Sequence, residues 1–503
     1  MKLSILAVAL VAKAIEAAPQ SITAVSNVGA STSDVYPPAS TAVNSTLFPP
    51  ESKIGFPGPT PTGVEPAVAQ TAPLYPYNTQ AAKSFPLVAA QPQGSNSSSK
   101  VDITRYWGNL SPWYSLSSAD YGLPHANPLI PEGCTINQMH LLYRHGARYP
   151  TSGAAPATFA SKLVNATKGA GFQVSGELAF LSKWTYKLGA ELLTPFGRSQ
   201  EFLLGVEYRQ LYGELLNNFT AQKALPVFRT ESQDRMVKTA VNFAAGFFGV
   251  PEYLDQVNIE ILVETLGVNN SGAPYEVCNN SNVATKGSIG TATANKFAVN
   301  AFNSTLSRLN SQSFYYNNGP GSPVSAAQGK GYLQEFVARF TQSYPTAMSA
   351  LNQTFDNSST YFPLNQSIYA DATHEVVVLD TLTAFNLTAL FNGPALNISM
   401  NQRRNSFVAS MVVPFATHFT TQILECPAMK PSKQIRFIVN DAVIPVSGSH
   451  PGCPDDPNGL CPFDTMVSVL QKRINEIDYN YDCFANYTAT AGINYNGRAP
   501  RTT

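Results

Sequence analysis

Short apolar runs along the chain predict a set of buried β-strands. The run Ile136–Tyr143 is brief and rich in apolar residues, which favours a buried strand. Further strands are predicted at 226–228, 367–371 and 434–439. Charged residues follow directly after several of these runs. In open α/β sheets the carboxyl ends of the strands form the edge where ligands bind, so these charged residues are candidates for a site.

Longer segments carry apolar residues at helical spacing. One helix is predicted from the start signal Thr194-Pro195 to about Leu216, because its apolar positions fall on one face. A second helix is predicted to end at Phe248, before Gly249. Between about 251 and 362 the chain is rich in Asn and Ser with helical pieces, which indicates a smaller helical region.

The most informative segment is Arg144-His145-Gly146-Ala147-Arg148, which follows the strand predicted at Ile136–Tyr143. Arginine presents planar, permanently charged donors that match phosphate oxygens two at a time. A neutral imidazole between two arginines is a nucleophile that can accept a phosphoryl group. Gly146 is expected to let the backbone approach the bound group closely. The segment therefore predicts a phosphate site with a nucleophilic histidine.

The stretch from Arg144 to Thr151 resembles the signature of the histidine acid phosphatases, with the fungal phytases as the most similar branch. The resemblance extends from about Val101 to Tyr487. It implies a phosphoglycerate mutase-like α/β fold: a mixed sheet flanked by helices, with a smaller α-helical subdomain inserted within about 251–362. It also implies that His145 becomes the phosphohistidine while Arg144 and Arg148 bind the substrate phosphate.

Two later segments match the other residues that this family uses. Arg235 stands before a predicted helix, where the family has a third substrate-binding arginine, whereas Arg229 is expected to form a structural ion pair. His374 follows the strand 367–371 and matches a second phosphate-binding histidine. The β-branched residues after it locally favour a strand, but the resemblance implies a helix whose first amides would face phosphate.

Glu375 departs from the family pattern, which has an aspartate as the catalytic acid at this position. Both side chains are carboxylic acids of similar intrinsic pKa, so proton donation to the leaving group is retained. The extra methylene of glutamate moves the proton, and its placement matters for general acid catalysis. Two interpretations stay open: a working acid with a different reach, which we favour, or an impaired donor. A working acid predicts activity at acidic pH, because Glu375 must be protonated when the ester bond breaks.

Composition and net charge restrict the classes of molecule that the protein is expected to bind. The chain has 503 residues, 44% of them hydrophobic, enough for one large core or two joined cores. Its 32 Lys and Arg balance 32 Asp and Glu. This zero net charge argues against nucleic acid or an anionic membrane as a partner, because both attract a basic excess. Carboxylates and histidines do not stand at metal-ligand spacing, so we expect no metal or other cofactor.

The N-terminal region and the glycosylation motifs are typical of an exported glycoprotein. Residues 1–18 carry Lys2, an apolar run and small residues, as in a secretory signal peptide. Residues 19–100 are rich in Pro, Ser and Thr, which predicts a flexible leader. We therefore expect a secreted or cell-wall protein with N-glycans. The Asn-X-Ser/Thr acceptors include Asn44, Asn109, Asn165, Asn218, Asn303, Asn352, Asn386, Asn397 and Asn486.

The chain contains 6 cysteines and no CxxC pair, which favours disulfide bonds over metal ligation in an oxidising compartment. The sequence alone leaves their pairing open. The family resemblance implies the bonds Cys134–Cys426, Cys278–Cys483 and Cys453–Cys461.

Together these features predict a secreted phosphomonoesterase domain over 101–503 that acts through a phosphohistidine. The resemblance favours phytate (inositol hexakisphosphate) as substrate, with broad acid phosphatase activity next. Two alternatives remain open. One is a phosphoryl transferase or mutase, which needs a second substrate to accept the phosphate. The other is a catalytically impaired cell-surface glycoprotein of the same fold, an alternative supported by Glu375 and the long leader.

Overall fold

The computed structural model describes residues 103–151, 155–168, 173–182, 191–262, 304–345, 351, 356–393, 395–396, 407–490 and 492–501. The predicted signal peptide at 1–18 and the leader at 19–100 lie outside these residues. None of the helices in these ranges has both the length and the apolar character needed to cross a membrane.

The described residues contain one mixed β-sheet. Its strands are β1 (Thr135–Arg144), β2 (Val227–Glu231), β3 (Asn258–Leu262), β4 (Ile368–Thr373), β5 (His418–Glu425), β6 (Lys433–Val439), β7 (Ala442–Ile444) and β8 (Cys461–Pro462). Their order across the sheet is β3-β2-β4-β1-β5-β6-β7, with β8 paired to β6. The first four strands run parallel, and β5 to β8 are each antiparallel to the strands they pair with. The carboxyl ends of β1, β2 and β4 therefore meet at one edge.

Helices pack on both faces of this sheet. The helices of the described residues are α1 (Ala155–Lys168), α2 (Pro195–Tyr212), α3 (Leu216–Gln222), α4 (Asp234–Phe248), α5 (Tyr253–Gln256), α6 (Ser304–Asn317), α7 (Ser325–Thr341), α8 (Glu375–Ala384), α9 (Ala409–Val412), α10 (Phe463–Glu476) and α11 (Tyr479–Phe484). Short 3-10 helices lie at Ile103–Tyr106, Gly108–Leu110, Ser118–Tyr121, Gly176–Ser182, Gly213–Leu215 and Thr388–Phe391. The predicted α/β class, a mixed sheet flanked by helices, is confirmed.

The central strand β1 is buried on both faces, as predicted from its apolar residues. Met139, Leu141 and Tyr143 pack into a core that includes α2 and α4. Leu142 points to the other face and packs into the core that includes α7, α8 and α10. Because successive side chains of a strand point to opposite faces, a strand at the centre of a three-layer fold must be apolar on both.

The predicted start of α2 and the predicted end of α4 are confirmed, whereas α2 ends at Tyr212 and not near Leu216, because the 3-10 turn Gly213–Leu215 separates it from α3. Thr194 caps α2 by accepting a hydrogen bond from the Gly197 amide at 3.0 Å, and Pro195 takes the first helical position. Helix α4 ends at Phe248, since Gly249 has φ 98°. The segment after His374 forms helix α8 rather than a strand, because the buried residues of that helix pack into the core.

The region predicted as a helical subdomain, 251–362, is described only in part. Its described residues form α5, β3, α6 and α7, and α7 packs against α8 and α10. The subdomain boundaries therefore stay a prediction.

A buried charge network fixes α7 to the sheet. Arg229 on β2 donates to Asp371 on β4 at 2.7 Å and binds Glu335 on α7 at 2.8 and 2.9 Å. Arg339, also on α7, donates to Asp371. All four side chains are buried. The interpretation of Arg229 as a structural ion pair is thus confirmed.

Two of the three expected disulfide bonds are present. Cys134–Cys426 joins the start of β1 to the end of β5, and Cys453–Cys461 closes the short loop before α10. The third expected bond involves Cys278, which lies outside the described residues.

Candidate active site

The candidate site forms where β1, β2 and β4 end side by side. Arg144 is the last residue of β1 and pairs with Thr373 at the end of β4. The His145 amide continues this ladder by donating to the Thr373 carbonyl at 3.1 Å. On the other side, the Ala416 amide donates to the His145 carbonyl at 3.0 Å. The backbone of His145 is therefore held between two neighbouring segments, which fixes the position of its ring.

Gly146 is required for packing against α2. A Cβ at this position would lie 2.2 Å from the Gly197 carbonyl oxygen, and a Cβ on Gly197 would lie 2.0 Å from that of Ala147. The structure shows a close approach of Gly146 to the start of helix α2, and two facing glycines allow it. The expected approach of the Gly146 backbone to a bound group stays a prediction.

His145 is a neutral imidazole with one nitrogen free for chemistry. Its Nδ1 lies 2.8 Å from the Gly146 carbonyl oxygen, an acceptor, so Nδ1 carries the proton. Its Nε2 is buried and has no hydrogen-bond partner among the described residues. Burial, helped by the charges of Arg144 and His374, holds the pKa of His145 well below its usual value. The lone pair on Nε2 is thus available for attack.

His374 lies beside His145, at the junction of β4 and α8. The two ring centroids are 5.3 Å apart in an edge-to-face arrangement. The His374 Nε2 lies 2.9 Å from a carboxylate oxygen of Glu231 at the end of β2. The Thr373 hydroxyl donates to the other oxygen of Glu231 at 3.3 Å.

Arg144 is completely buried. Its Nε donates to Glu375 at 3.0 Å, and its guanidinium carbon lies 4.4 Å from the ring centroid of Phe415. Its Nη2 is buried and has no hydrogen-bond partner among the described residues. Burial lowers the pKa of Arg144 to about 10, so it is still cationic at neutral pH. A buried cation with an uncommitted donor suits an anionic ligand.

Arg148 and Arg235 complete the cationic side of the site. The charge of each lowers the pKa of Arg144, after the larger effect of burial, which places both in the same electrostatic environment. Arg148 donates to the Tyr149 carbonyl at 3.0 Å, and its buried Nε has no partner among the described residues. Arg235, in the first turn of α4, donates to Glu191 at 2.7 Å.

Three polar residues at the site were missed by sequence reasoning. Glu191 pairs with Arg235, Glu231 pairs with His374, and the Asn109 side-chain amide donates to Glu375 at 3.2 Å. The sequence marks Asn109 only as part of an Asn-X-Ser/Thr glycosylation motif. The family signature contains none of the three, and no local pattern marks them.

Comparisons with known proteins agree with this geometry. The family model of the histidine phosphatase superfamily (branch 2) matches residues 135–298 and 293–440, more than half of the chain. The chain belongs to this superfamily. Among its relatives, Phytase A of Aspergillus oryzae is 28% identical over 449 residues, covering 76% of this chain and 91% of the relative. Phytase A of Emericella nidulans is 28% identical over 431 residues, covering 73% and 88% respectively.

A solved structure supports the fold of this histidine phosphatase. The crystal structure of the phytase from D. castellii superposes with a TM-score of 0.55 at 19% identity, covering 80% of this chain and 93% of that one. The predicted membership of the histidine acid phosphatase family, near the fungal phytases, is confirmed. The predicted enzyme class, a phytase-like phosphoric monoester hydrolase, is also confirmed.

In this histidine phosphatase, the Glu375 carboxylate lies between the side chains of Arg144 and His145. Its Oε2 is 3.0 Å from Arg144 Nε and 3.7 Å from His145 Nε2. Burial alone would raise the pKa of Glu375, but Arg144 and the neighbouring cationic groups together hold it well below its usual value. The side chain is therefore an ionised carboxylate that satisfies the cations of the site.

The ligand atoms of His145, His374 and Glu375 lie within 4.8 Å of one another, a spacing that could hold a metal ion. The buried guanidinium of Arg144 contacts the same carboxylate, and Arg148 adds a second positive charge nearby. These charges disfavour a cation and favour an anion.

Proposed function

We propose that this histidine phosphatase hydrolyses phosphate monoesters through a phosphohistidine on His145. The observation that carries the proposal is the unpartnered Nε2 of a neutral, fixed imidazole beside the buried guanidinium of Arg144. Arg144, Arg148, Arg235 and His374 would bind the phosphate oxygens and offset their charge. Such fixed donors account for a large part of the catalysis in phosphoryl transfer.

The reaction takes two steps. In the first, His145 Nε2 forms a bond to phosphorus while the ester P–O bond breaks, and protonated Glu375 gives its proton to the departing alkoxide. In the second, a water molecule attacks the phosphohistidine, the N–P bond breaks, and Glu375 takes a proton from that water. Inorganic phosphate then leaves, and His145 and Glu375 are back in their initial states.

Inositol phosphates are the favoured substrates, with broad acid phosphatase activity next. The support is the name of the relatives, which are phytases that align over about three quarters of this chain. Secretion, cleavage of residues 1–18 and N-glycosylation belong to the same proposal. The disulfide bonds Cys134–Cys426 and Cys453–Cys461 are consistent with an oxidising compartment.

The test is phosphate release from phytate, a sugar phosphate and an aryl phosphate, in water without an added acceptor. The parent enzyme should release phosphate from phytate and the sugar phosphate, and His145→Ala should lose on the order of a thousandfold or more in rate. Phosphate release that requires an added acceptor would indicate a transferase. A His145→Ala variant as fast as the parent would exclude the mechanism.

A further inference from the structure

We propose that Asn109 is a positioning residue for Glu375, the acid of the proposed mechanism, and that Asn109 carries no glycan. The proposal rests on the proposed function, since it assigns a partner to the group that protonates the departing alkoxide. The sequence by itself suggests another part for this residue, because Asn109-Leu110-Ser111 is a glycosylation motif. In the structure, however, the side-chain amide of Asn109 donates to Glu375 Oε1 at 3.2 Å.

The turn that carries Asn109 is fixed by contacts of its own. Asn109 lies in the 3-10 helix Gly108–Leu110, which packs against α6 and α9. Ser111 follows this helix and is fully buried, and its hydroxyl accepts from the Trp107 amide at 3.2 Å. The Asn109 carbonyl accepts a hydrogen bond from Nη1 of the buried Arg144. The backbone of Asn109 is therefore held beside this arginine, which limits where the side-chain amide can reach.

The two oxygens of Glu375 have different partners. Oε1 accepts from the Asn109 amide, whereas Oε2 lies 3.0 Å from Arg144 Nε and 3.7 Å from His145 Nε2. An amide N–H can only donate, so the oxygen that accepts from it is the carbonyl oxygen when the acid is protonated. The proton that Glu375 transfers is therefore carried by Oε2.

The contact with Asn109 does not depend on Arg144. In the proposed mechanism, the substrate phosphate competes with Oε2 of Glu375 for the guanidinium of Arg144. The hydrogen bond from Asn109 is on the other oxygen, so it can hold the acid after the arginine has bound phosphate. Placement of the proton within reach of the leaving oxygen governs general acid catalysis. Loss of the amide should therefore slow the reactions that need this proton.

The experiment measures kcat of Asn109→Ala and of the parent on phytate and on an aryl phosphate with a good leaving group. On phytate the variant should lose about 10- to 100-fold, the factor expected for one hydrogen bond to a charged group. On the aryl phosphate it should lose far less, because that leaving group needs little protonation. Asn109→Leu fills a similar volume without a donor, should show the same pattern, and serves as the test if Asn109→Ala does not fold.

A double variant tests whether Asn109 acts through Glu375. In Glu375→Gln the proton donor is already absent, so adding Asn109→Ala should cause little further loss of kcat on phytate. A residue that supports only the fold would instead lower the rate by the same factor in both backgrounds.

Ser111→Ala is the matched control for the glycan. It removes the glycosylation motif and keeps the Asn109 amide, so it should keep the parent ratio of the phytate rate to the aryl phosphate rate. Peptide mass mapping of the enzyme made in a eukaryotic secretory host should find Asn109 unmodified. The reason is that a glycan would be attached to the amide nitrogen that contacts Glu375.

The inference is wrong if Asn109→Ala keeps the parent kcat on phytate, slows both esters equally, or has its full effect in Glu375→Gln. It is also wrong if active enzyme carries a glycan on Asn109, or if Ser111→Ala shows the same phytate-selective loss. A parent enzyme that releases no phosphate from any ester would instead refute the proposed function, so the two failures are distinguishable.

Discussion

In the proposed mechanism, Glu375 plays two parts that differ in protonation. Without substrate it is an ionised carboxylate on Arg144, and its pKa lies well below the usual range. To act as the acid in the first step it must carry a proton. A phosphate group that binds Arg144 brings negative charge to the same place and displaces the carboxylate, which raises the pKa of Glu375. Substrate binding would therefore prepare the acid.

Phosphate binding should accordingly be coupled to proton uptake. Calorimetric titration with inorganic phosphate at pH 5, in buffers of different ionisation enthalpy, measures the protons taken up per phosphate bound. We expect uptake by the parent enzyme and a clear reduction in Glu375→Gln, which cannot ionise. Equal proton uptake in both proteins would show that another group takes the proton.

The role of Glu375 as acid also predicts a dependence on the leaving group. Glu375→Gln should slow hydrolysis of inositol phosphates by about 10²–10⁴-fold, because an alkoxide must be protonated as it leaves. An aryl phosphate with a good leaving group needs little protonation and should lose far less. The measurement is kcat on both esters at one pH, and equal losses would remove Glu375 from the role of donor.

Individual residues show which parts of the candidate site could be predicted from the sequence and which could not. Arg144 and His145 were identifiable because they are adjacent in the chain and their chemistry is local. Glu191, Glu231 and Asn109 were not, because each reaches its partner only through the tertiary fold. Their contacts with the site are therefore visible only in the structure.

At the scale of elements, the contact between the end of β1 and the start of α2 controls the position of His145. Gly146→Ala would place a Cβ 2.2 Å from the Gly197 carbonyl oxygen, so the strand end and the helix must separate. We expect a loss of about 1–3 kcal/mol in the free energy of unfolding. We also expect a fall in kcat, because His145 is the next residue.

The matched control is Gly448→Ala, since a Cβ there would meet nothing within 4 Å. It should leave the unfolding midpoint in denaturant and the activity close to those of the parent. If Gly146→Ala behaves like this control, the close packing at Gly146 does not matter for the site.

Helix α8 shows that the secondary-structure preference of single residues does not by itself predict which element a segment forms. Its first residues are β-branched and favour a strand, yet the apolar positions of the helix are buried against α7. Burial of a helical face outweighs a propensity difference of roughly 1 kcal/mol. The helix was expected from family resemblance, and the residue pattern by itself left the choice open.

At the scale of the whole molecule, buried charges make stability depend on pH. Glu260 on β3 is buried, and its two oxygens have no hydrogen-bond partner among the described residues. Burial raises its pKa to about 8, from a usual value of 4.5. A raised pKa contributes stability that is complete below pH 4.5 and is lost as the pH rises through 8. Asp371 has a lowered pKa despite its burial, because Arg229 and Arg339 surround it, so its contribution is lost as the pH falls below its usual range.

Glu260→Gln tests this dependence, because glutamine has a similar shape and cannot ionise. The variant should gain about 1–3 kcal/mol in the free energy of unfolding relative to the parent between pH 5 and pH 8, with the gain growing as the pH rises. Denaturant unfolding at several pH values measures it. A constant difference across this range would mean that Glu260 does not titrate there.

The measurement that tests the central claim most directly is the identification of the phosphorylated residue. The enzyme is mixed with ³²P-labelled phytate for milliseconds and quenched in alkaline detergent, because a phosphorylated histidine loses its phosphate in acid. The peptide that carries the label is then sequenced. We predict label on His145 in the parent enzyme and none in His145→Ala. Label on another residue, or turnover by the parent without any labelled protein, would contradict the account.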